Sequence, residues 1–293
     1  MKKFKYVINN RVRLIINQIA RFAPKSANAL IQTLAYHRFF HLKNPRYFNE
    51  KLIWLMFNRY DGNDEVLACC DKYRVHQYLN EKGFGNITND LINVWDNPED
   101  IDWGTLPHSF VLKCNYGSGF NVIVEDKNKI DIQKTLLFLK KGLRANNYLE
   151  VHMRNMERKI ICEKYLGDQY GNTPNDYKFY CFNGEPKVIL VILDRYGEKK
   201  GAFMSLDWKV VSSLSEEYET LDTNFVPKPN SLDKMIYYAR ELSKPFPFVR
   251  MDFYDVDGKP IFGEFTFTPR GCIHMQETEI NGVSMGDLLN VNQ

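Results

Sequence analysis

The stretch Val249-Arg-Met-Asp-Phe-Tyr-Asp-Val-Asp-Gly-Lys-Pro-Ile-Phe-Gly-Glu-Phe-Thr-Phe267 decides how the C-terminal part of this chain folds. Two runs of alternating apolar and polar residues flank Asp257-Gly258, a strong short-range signal of a β-hairpin. With a three-residue loop, Asp257 to Lys259, the register puts Asp252 directly opposite Glu264. The pattern therefore predicts two carboxylates that face each other on a pair of strands.

The alternation divides the other side chains of this hairpin between two faces. One face is apolar, and we expect it to pack on the core. Its members are Val249, Met251, Phe253, Ile261, Phe265 and Phe267. The face of the two carboxylates also carries Arg250, Tyr254, Phe262 and Thr266.

The two facing acids create a problem that a cation solves. Like charges directly opposite each other destabilise a strand pair, and two close carboxylates raise the pKa of one of them. Mg²⁺ is usually held by one or two carboxylates plus substrate phosphates. We therefore interpret Asp252 and Glu264 as a Mg²⁺ site. The alternatives are that Arg250 bridges the acids in a structural ion network, or that the register slips by one residue.

A second candidate site is the run Phe110-Val-Leu-Lys-Cys-Asn-Tyr-Gly-Ser-Gly119. Lys113 lies inside an apolar strand, so it needs an anionic partner or a shifted pKa. Gly117 and Gly119 let the backbone approach a phosphate, and Ser118 adds a hydroxyl donor. Most loops of this composition are plain hairpins, and it is the lysine in the preceding strand that favours a nucleotide site.

Two other strands carry candidate nucleotide contacts. Lys178 lies within the run Tyr177–Phe182, where the alternative is an exposed lysine that points away from the core. The run Ile160–Leu166 ends in an acidic residue and an apolar one. Glu163 is suited to accept a hydrogen bond from an adenine amino group, while the backbone near Leu166 meets the edge of the ring.

Composition and charge exclude several classes of protein. Of the 293 residues, 44% are hydrophobic and 26% are charged, as in an ordinary folded protein. The net charge of +3 argues against a nucleic-acid binder. The six cysteines show neither CxxC nor Cys/His spacing, so we expect free thiols in a cytoplasmic protein.

The segment Met1–Phe22 is basic and amphipathic. It has no apolar run close to the roughly 18 residues of a membrane span, and no small-residue cleavage site of a signal peptide. We expect its apolar face to pack on the domain. The alternative is a helix that lies on an anionic membrane surface.

Helical spacing prevails up to about residue 65, and short apolar runs separated by turns prevail from about residue 87. Helices are predicted at 72–82, after an N-capping Asp71, and at 132–143 and 232–242. Strands are predicted at 110–114, 121–125, 160–166, 177–182 and 187–193. This mixture predicts an α+β protein. We expect a helical region over 1–65, a lobe with the glycine loop over 66–165 and a lobe with the metal site over 166–293.

In this order the motifs resemble the ATP-grasp superfamily, and most closely its TupA-like branch, which is associated with bacterial surface-polysaccharide and teichuronopeptide biosynthesis. The resemblance runs from about Phe48 to Gly271. It is carried by Phe48-Asn-Glu-Lys-Leu52, Asp71-Lys-Tyr73, Phe110-Val-Leu-Lys113, Gly117-Ser-Gly119, Asp176-Tyr-Lys-Phe-Tyr-Cys-Phe-Asn-Gly184, Arg250-x-Asp252 and Gly263-Glu-x-Thr-Phe-x-Pro269. The resemblance implies an ATP-grasp fold, in which two α+β lobes clamp ATP.

The resemblance also implies roles for individual residues. For ATP these are the lysines Lys72, Lys113 and Lys178, the lid Gly117, Ser118 and Gly119, the adenine contacts Glu163 and Leu166, and the ribose contact Asp168. For Mg²⁺ it implies Asp252 and Glu264, with Arg250 and Lys113 stabilising the transferred phosphoryl group.

Two positions depart from the pattern of the family. Thr266 stands where many ATP-grasp ligases have an asparagine metal ligand, and a threonine hydroxyl is a weaker ligand. Arg270 stands where related ligases often have glycine, and it is suited to pair with an anionic substrate or intermediate.

The chemistry that the resemblance implies is ATP-dependent ligation of a carboxylate to an amine through an acyl phosphate. We expect a uronic acid of a surface polysaccharide or its precursor as the carboxylate, and an amine or amino acid as its partner, with peripheral contact at the inner face of the membrane. The alternatives are a sugar or small-molecule kinase, and a non-catalytic nucleotide-binding partner in a biosynthetic assembly.

Overall fold

The computed structural model of the chain describes residues 9–37, 39–167, 173–193, 200–213, 219–220, 226–273, 279–280 and 282–292. Within them the helices are α1 (Asn10–Ala20), α2 (Pro24–Tyr36), α3 (Phe48–Leu55), α4 (Asp64–Cys70), α5 (Arg74–Glu81), α6 (Ile132–Arg144), α7 (Leu232–Ser243) and α8 (Met285–Leu288). The strands are β1 (Leu91–Trp95), β2 (Phe110–Cys114), β3 (Asn121–Val124), β4 (Ile160–Lys164), β5 (Asp176–Phe182), β6 (Glu185–Leu193), β7 (Lys200–Met204), β8 (Val210–Ser213), β9 (Glu219–Thr220), β10 (Phe248–Val256), β11 (Lys259–Thr266), β12 (Glu279–Ile280) and β13 (Val283–Ser284).

A four-stranded antiparallel sheet, in the order β1-β4-β2-β3, forms the smaller sheet. One face of β2 buries Phe110, Leu112 and Cys114 in a core that includes residues of β4 and α6. Because side chains alternate along a strand, Val111 and Lys113 point to the opposite face, where both line a cleft. The packing of the small sheet thus fixes the direction of its lysine.

The larger sheet has the order β11-β10-β5-β6-β7-β8, and the short strand β9 pairs with β7. All seven residues of β5 are buried, because β5 lies in the middle of the sheet between β10 and β6. Helix α7 packs on this sheet and buries Met235 and Ala239. Lys178 is one of the seven buried residues of β5, and the interpretation of this residue as an exposed strand lysine is wrong.

The turn of the β10–β11 hairpin is tighter than predicted. Val256 pairs with Lys259, so the loop consists of Asp257 and Gly258 alone and not of three residues. Both loop residues have positive φ, 52° and 74°, as a two-residue turn of type I′ requires. Pro260 consequently pairs with Asp255.

A β-bulge at Gly263 nevertheless places Asp252 opposite Glu264, as the sequence predicted. Gly263 is the extra residue of β11 at this point, since Phe262 already pairs with Phe253. A Cβ atom at position 263 would lie 3.1 Å from the carbonyl oxygen of Asp252, closer than most such contacts. The bulge therefore requires glycine or a local shift of the backbone.

The bulge also changes the two faces of the hairpin. The ring centroid of Phe262 lies 4.8 Å from that of Phe265 and 6.0 Å from that of Phe253, so its ring packs against the apolar face, while Phe262 also contributes to the lining of the cleft. Ile261 pairs with Tyr254 instead. The predicted positions of Phe262 and Ile261 are thus wrong, because a bulge shifts the alternation of one strand relative to the other.

Most of the other elements agree with the sequence. The helices predicted at 132–143 and 232–242 correspond to α6 and α7, and β2 has its predicted limits. Helix α5 begins two residues later than predicted. The carboxylate of Asp71 nevertheless caps this end, since it accepts hydrogen bonds from the backbone N–H groups of Tyr73 and Arg74. The chain is α+β, as expected. The division at residues 65 and 165 stays a prediction.

Helices α1 and α2 form a hairpin on the loop that follows β11. The side chain of Gln32 donates to the carbonyl oxygen of Cys272 at 3.0 Å, and Asn28 donates to that of Leu149 at 3.0 Å. In α1 only Ile16 and Ala20 are buried, so the expected packing of its apolar face is limited to these two residues. None of the helices in the described part of the chain has the length and apolar character needed to cross a bilayer.

Candidate nucleotide and metal site

A cleft that is partly open to solvent lies between the two sheets. The small sheet contributes Val111, Lys113, Asn121, Ile123 and Glu163 to its lining, and the large sheet contributes Asp252, Tyr254, Phe262 and Glu264. Lys72, Val75 and His76 close one side, and Leu166 lies at the edge formed by the chain after β4. Of the fourteen residues chosen from the sequence, the cleft brings six together: Lys72, Lys113, Glu163, Leu166, Asp252 and Glu264.

On the small-sheet wall, Lys113 and Glu163 form an ion pair between Nζ and Oε2. The sequence assigned them to different parts of ATP, yet here they touch, because β2 and β4 are neighbours in the sheet. Nε2 of His76 lies 3.5 Å from Oε1 of Glu163. Burial raises the pKa of Glu163, but Lys113 and His76 outweigh it and lower the pKa to about 2. Glu163 is therefore an anion, and a hydrogen-bond acceptor, at neutral pH.

Lys72 connects the helical side of the cleft to the glycine loop. Its Nζ donates to the carbonyl oxygen of Gly117 at 2.6 Å, and its backbone N–H donates to that of Asn115. Burial lowers the pKa of Lys72, and the nearby charge of Glu264 opposes that change. The ammonium group thus lies within electrostatic range of both walls of the cleft.

Both glycines of the glycine loop adopt the left-handed backbone conformation. Gly117 and Gly119 have φ values of 68° and 87°, and a Cβ atom at either position would meet nothing within 4 Å. The loop is closed by a hydrogen bond from the N–H of Cys114 to the carbonyl oxygen of Phe120, and Ser118 at its tip is exposed. The role of this loop as a lid over ATP stays a prediction.

On the large-sheet wall, Arg250 joins the two acids. Its Nε and Nη2 donate to the two carboxylate oxygens of Asp252, each at 2.7 Å. Nη2 also lies 3.0 Å from Oε1 of Glu264 and 3.0 Å from Oγ1 of Thr266. The arginine bridge that the sequence left open as an alternative is thus present in the structure.

Lys178 completes this network from the neighbouring strand. It pairs directly with Asp252 across β5 and β10, and its Nζ contacts Oδ2 of Asp252 and lies 3.4 Å from Oδ1 of Asp176. Burial raises the pKa of Asp252, but Arg250 and Lys178 outweigh it, and the net pKa is lowered. Asp252 therefore stays ionised although it is only 2% exposed.

The acids on this wall fit a site for Mg²⁺. Three carboxylates, Asp176, Asp252 and Glu264, contact the cations Arg250 and Lys178, and Glu264 also lies within electrostatic range of Lys72. Oε2 of Glu264 has no hydrogen-bond partner in the described part of the chain, and the side chain is 38% exposed. Among the described residues no group of three or more His, Cys, Asp or Glu side chains is arranged to hold a metal. One or two carboxylates together with substrate phosphates are the usual ligands of Mg²⁺. Glu264 offers a free oxygen for the metal, whereas Asp252 would have to exchange a bond to Arg250 or Lys178 for it.

The hydroxyl group of Thr266 is engaged within the network. It donates to Oε1 of Glu264 at 3.3 Å and accepts from Arg250. In this arrangement Thr266 orients Glu264 and Arg250, and its part as a metal ligand stays a prediction. Arg270 lies in the turn Pro269–Cys272 with a positive φ of 56°, and Asp168 lies outside the described residues.

Sequence reasoning missed several residues that support the site. Asp176 shares a strand face with Lys178 two residues on, and this spacing could have indicated it. Asn115 is fully buried and donates to the carboxylate of Asp71 at 2.9 Å. Glu150 accepts from Thr268. A separation of 118 residues gives no sequence signal for that last contact.

The chain resembles a protein family and several solved structures. The family model described as TupA-like ATPgrasp matches residues 50–289. D-alanine–D-alanine ligase from Bacillus anthracis, complexed with ATP, is 18% identical with a TM-score of 0.42, and the match covers 69% of this chain and 57% of that one. N5-carboxyaminoimidazole synthase from Aspergillus clavatus, in complex with ADP and an imidazole ribonucleotide, is 11% identical with a TM-score of 0.41, covering 70% and 46%. The ATP-grasp ligase PsnB, complexed with its minimal precursor, Mg and ADP, is 13% identical with a TM-score of 0.37, covering 87% and 66%.

The chain thus spans less than two thirds of the length of each of these solved proteins. No curated protein sequence matches it significantly. The family match extends from within α3 to Leu289, one residue past the end of α8, and includes both walls of the cleft. The chain therefore belongs to the TupA-like ATP-grasp family.

Proposed function

We propose that this chain is an ATP- and Mg²⁺-dependent ligase that joins a carboxylate to an amine through an acyl phosphate. The observation that carries the proposal is the division of charge within one cleft. Lysines lie on the small-sheet side, and a pair of carboxylates lies opposite, on the large sheet. A nucleoside triphosphate with bound Mg²⁺ requires both lysines and carboxylates, because the lysines bind phosphate oxygens and the carboxylates bind the metal.

For ATP binding, we propose that Lys72, Lys113 and Lys178 contact the phosphates and that Glu163 and Leu166 contact the adenine. A lysine ammonium group has three donors. Lys113 can therefore keep its bond to Glu163 and still donate to a phosphate oxygen. The glycine loop, Gly117 to Gly119, then covers the phosphates, and Asp168 is the proposed ribose contact.

For phosphoryl transfer, we propose that Asp252 and Glu264 hold Mg²⁺, which supplies neutralisation of phosphate charge when it is bound. Arg250 already spans both acids, so it is positioned beside any group that they bind. Its guanidinium group stabilises the negative charge that develops on the transferred phosphoryl group. Thr266 holds Glu264 next to Arg250, because its hydroxyl group bonds to both side chains.

The reaction needs no nucleophile from the protein. An oxygen of the substrate carboxylate attacks the γ-phosphorus of ATP, and ADP leaves. The nitrogen of the amine then attacks the acyl carbon, loses a proton, and phosphate leaves. The six thiols are unsuited to nucleophilic attack in any case, because burial raises the pKa of each of them.

We propose that the acceptor substrates enter beside the turn Pro269–Cys272. A small cavity there is lined by Arg13, Asn147, Glu150, Thr268 and Gly271, among others. It combines a cationic and an anionic side chain, as recognition of a carboxylate and an amine requires. Arg270 in this turn is proposed to pair with the anionic substrate.

The proposed carboxylate is a uronic acid of a surface polysaccharide or its precursor, and the proposed amine is an amino acid or simple amine. We further propose a cytoplasmic location at the inner face of the membrane, where the chain contacts a lipid-anchored precursor or its assembly machinery. The free state of all six cysteines supports a reducing compartment.

Oxygen-18 in the carboxylate of the substrate tests the reaction. The purified chain is incubated with ATP, Mg²⁺, an amine and a uronic acid labelled in both carboxylate oxygens. We expect the released phosphate to carry one labelled oxygen, which arrives there only through an acyl phosphate. Unlabelled phosphate, or a stable phosphorylated sugar formed without the amine, would contradict the ligase and favour a kinase. The Asp252→Asn variant is the matched control for contaminating activity.

A further inference from the structure

The outer face of the α1–α2 hairpin is apolar and exposed. We define this outer face by Val12, Ile15, Ile19, Phe22, Leu30 and Leu34. Their exposed fractions range from 38% for Val12 to 83% for Phe22. On a folded chain, a group of large apolar side chains in solvent usually marks an interaction surface.

The inner face of the same hairpin is the one that holds it to the rest of the chain. Asn17 bonds to the backbone of Asn146 and Tyr148, and Gln32 to that of Cys272. In α1 the outer residues recur at three- and four-residue spacing, so they form one stripe about half a turn from Asn17. The apolar stripe therefore points away from the body of the protein.

The N-terminal part of the chain is strongly basic. Residues 1–49 contain ten Lys and Arg and no Asp or Glu, which leaves 29 Lys and Arg against 36 Asp and Glu in the remainder. A net charge of +10 is thus concentrated in the segment that contains the hairpin, while the remainder is net negative. Arg11 and Arg21 stand next to Val12 and Phe22 of the outer face in the chain, and both are exposed.

We propose that the outer face of the α1–α2 hairpin docks on an anionic lipid bilayer. Apolar side chains that enter the boundary between headgroups and acyl chains, with basic side chains at their edges, are the two features of an interfacial helix. A protein partner would have to be acidic across this whole segment, and a second copy of the chain would present the same positive charge. The charge therefore favours lipid, and this inference is independent of the ligase chemistry.

Flotation of the full chain with lipid vesicles tests the proposal. One set of vesicles contains equal amounts of phosphatidylglycerol and phosphatidylcholine, and the other contains phosphatidylcholine alone. We expect binding to the mixed vesicles only. Removal of two basic residues, Arg11→Gln with Arg21→Gln, is expected to reduce the partition coefficient about 25-fold, roughly five-fold for each residue.

Two matched controls separate this surface from general effects of charge and apolarity. Lys129→Gln with Lys134→Gln removes the same charge from exposed positions elsewhere, and is expected to leave binding unchanged. Ile15→Gln with Phe22→Gln is expected to abolish binding, whereas Leu137→Gln, at an exposed position of α6, is not. All the altered side chains are exposed, so the variants should fold.

Other outcomes overturn the proposal. Equal binding to both kinds of vesicle would show that anionic lipid is not recognised, and absence of binding to either would exclude the bilayer. A dimer in solution that dissociates in the Ile15→Gln and Phe22→Gln variant, measured by light scattering, would show instead that the outer face binds a second copy. ATP hydrolysis by the same proteins is measured in solution. If the wild-type chain shows none, that result contradicts the proposed function and leaves the membrane proposal unaffected.

Discussion

The two walls of the cleft hold their charges in different ways. On the small sheet, one lysine and one glutamate form a single pair, and the side chain of Lys113 is 23% exposed. On the large sheet, Arg250, Lys178 and three carboxylates form a network in which the side chain of Asp252 is 3% exposed. The accessible lysine can exchange partners with an incoming phosphate at small cost. The buried network holds its acids in place before any ligand arrives.

Removal of Asp252 should have the largest effect. Asp252→Ala leaves Arg250 and Lys178 buried without their common partner, and we expect a loss of about 4 kcal/mol in the free energy of unfolding. ATP-dependent turnover should fall at least about 1000-fold, because the metal site is lost with it. Chemical denaturation and ADP release measure the two effects.

A surface ion pair provides the control for that variant. Asp207 and Lys209 form an exposed pair at 2.7 Å, so Asp207→Ala should leave the free energy of unfolding close to that of wild type. A loss of stability that is equal for the two variants would show that the network on the large sheet is not cooperative.

A buried histidine behind the large-sheet wall should give the comparison a pH dependence. Burial lowers the pKa of His152 from 6.5 to about 4. Between these values the unfolded chain binds a proton that the folded chain does not, so stability is full above pH 6.5 and falls as the pH drops toward 4. The expected contribution is about 3 kcal/mol.

Denaturation curves between pH 4 and 7 measure this contribution. His152→Gln should remove from the free energy of unfolding the pH dependence that comes from the uptake of one proton on unfolding. His41→Gln, at an exposed position, should leave that dependence in place. Identical slopes in wild type and His152→Gln would place the acid sensitivity in the ion network instead. That result would make the two walls differ in pH response as well as in burial.

The two partners on the small-sheet wall should respond unequally. Lys113→Met leaves the buried carboxylate of Glu163 facing the nucleotide, and we expect ADP affinity to fall about 30-fold, or about 2 kcal/mol. Glu163→Gln leaves the lysine charge free for phosphate, and should change affinity only a few-fold. Calorimetric titration with ADP tests the asymmetry. Equal losses would show that the pair, and not the lysine alone, binds the nucleotide.

Thr266 should give the smallest effect. Thr266→Val removes the hydroxyl group that orients Glu264 and Arg250, and we expect the Mg²⁺ concentration for half-maximal activity to rise about 10-fold. Thr266→Ser keeps the hydroxyl and should remain close to wild type. A similar rise in both variants would show that packing of the methyl group, rather than the hydrogen bonds, is what matters at this position.

The sequence predicted the hairpin acids because alternation and a turn dipeptide are local signals. It could not predict the bulge at Gly263, which depends on how β11 packs against Asp252 and Tyr254. The loop is one residue shorter than predicted, and the bulge adds one residue to β11. The two differences cancel, so the prediction paired Asp252 with Glu264 correctly although it had both the loop and the bulge wrong. Between the turn and the bulge the two differences do not cancel, so Phe262 pairs with Phe253 and not with Tyr254.

Contacts between distant strands were the other limit. The sequence of β5 alone is compatible with an exposed or a buried Lys178. The side chain is buried because β5 lies between β10 and β6 in the sheet. The pairing of Lys113 with Glu163 likewise depends on β2 and β4 being neighbours. Strand order is a property of the whole chain, so local spacing could propose these residues but not their partners.

The burial of the cysteines has a practical consequence for observing the glycine loop. Burial raises the pKa of every native thiol, and this suppresses the thiolate that maleimide reagents attack. Ser118 lies at the exposed tip of the loop, next to the carbonyl oxygen that Lys72 contacts. A Ser118→Cys variant can thus carry a fluorophore at one chosen position without removal of the native cysteines. The emission of that dye would follow the loop during each catalytic cycle.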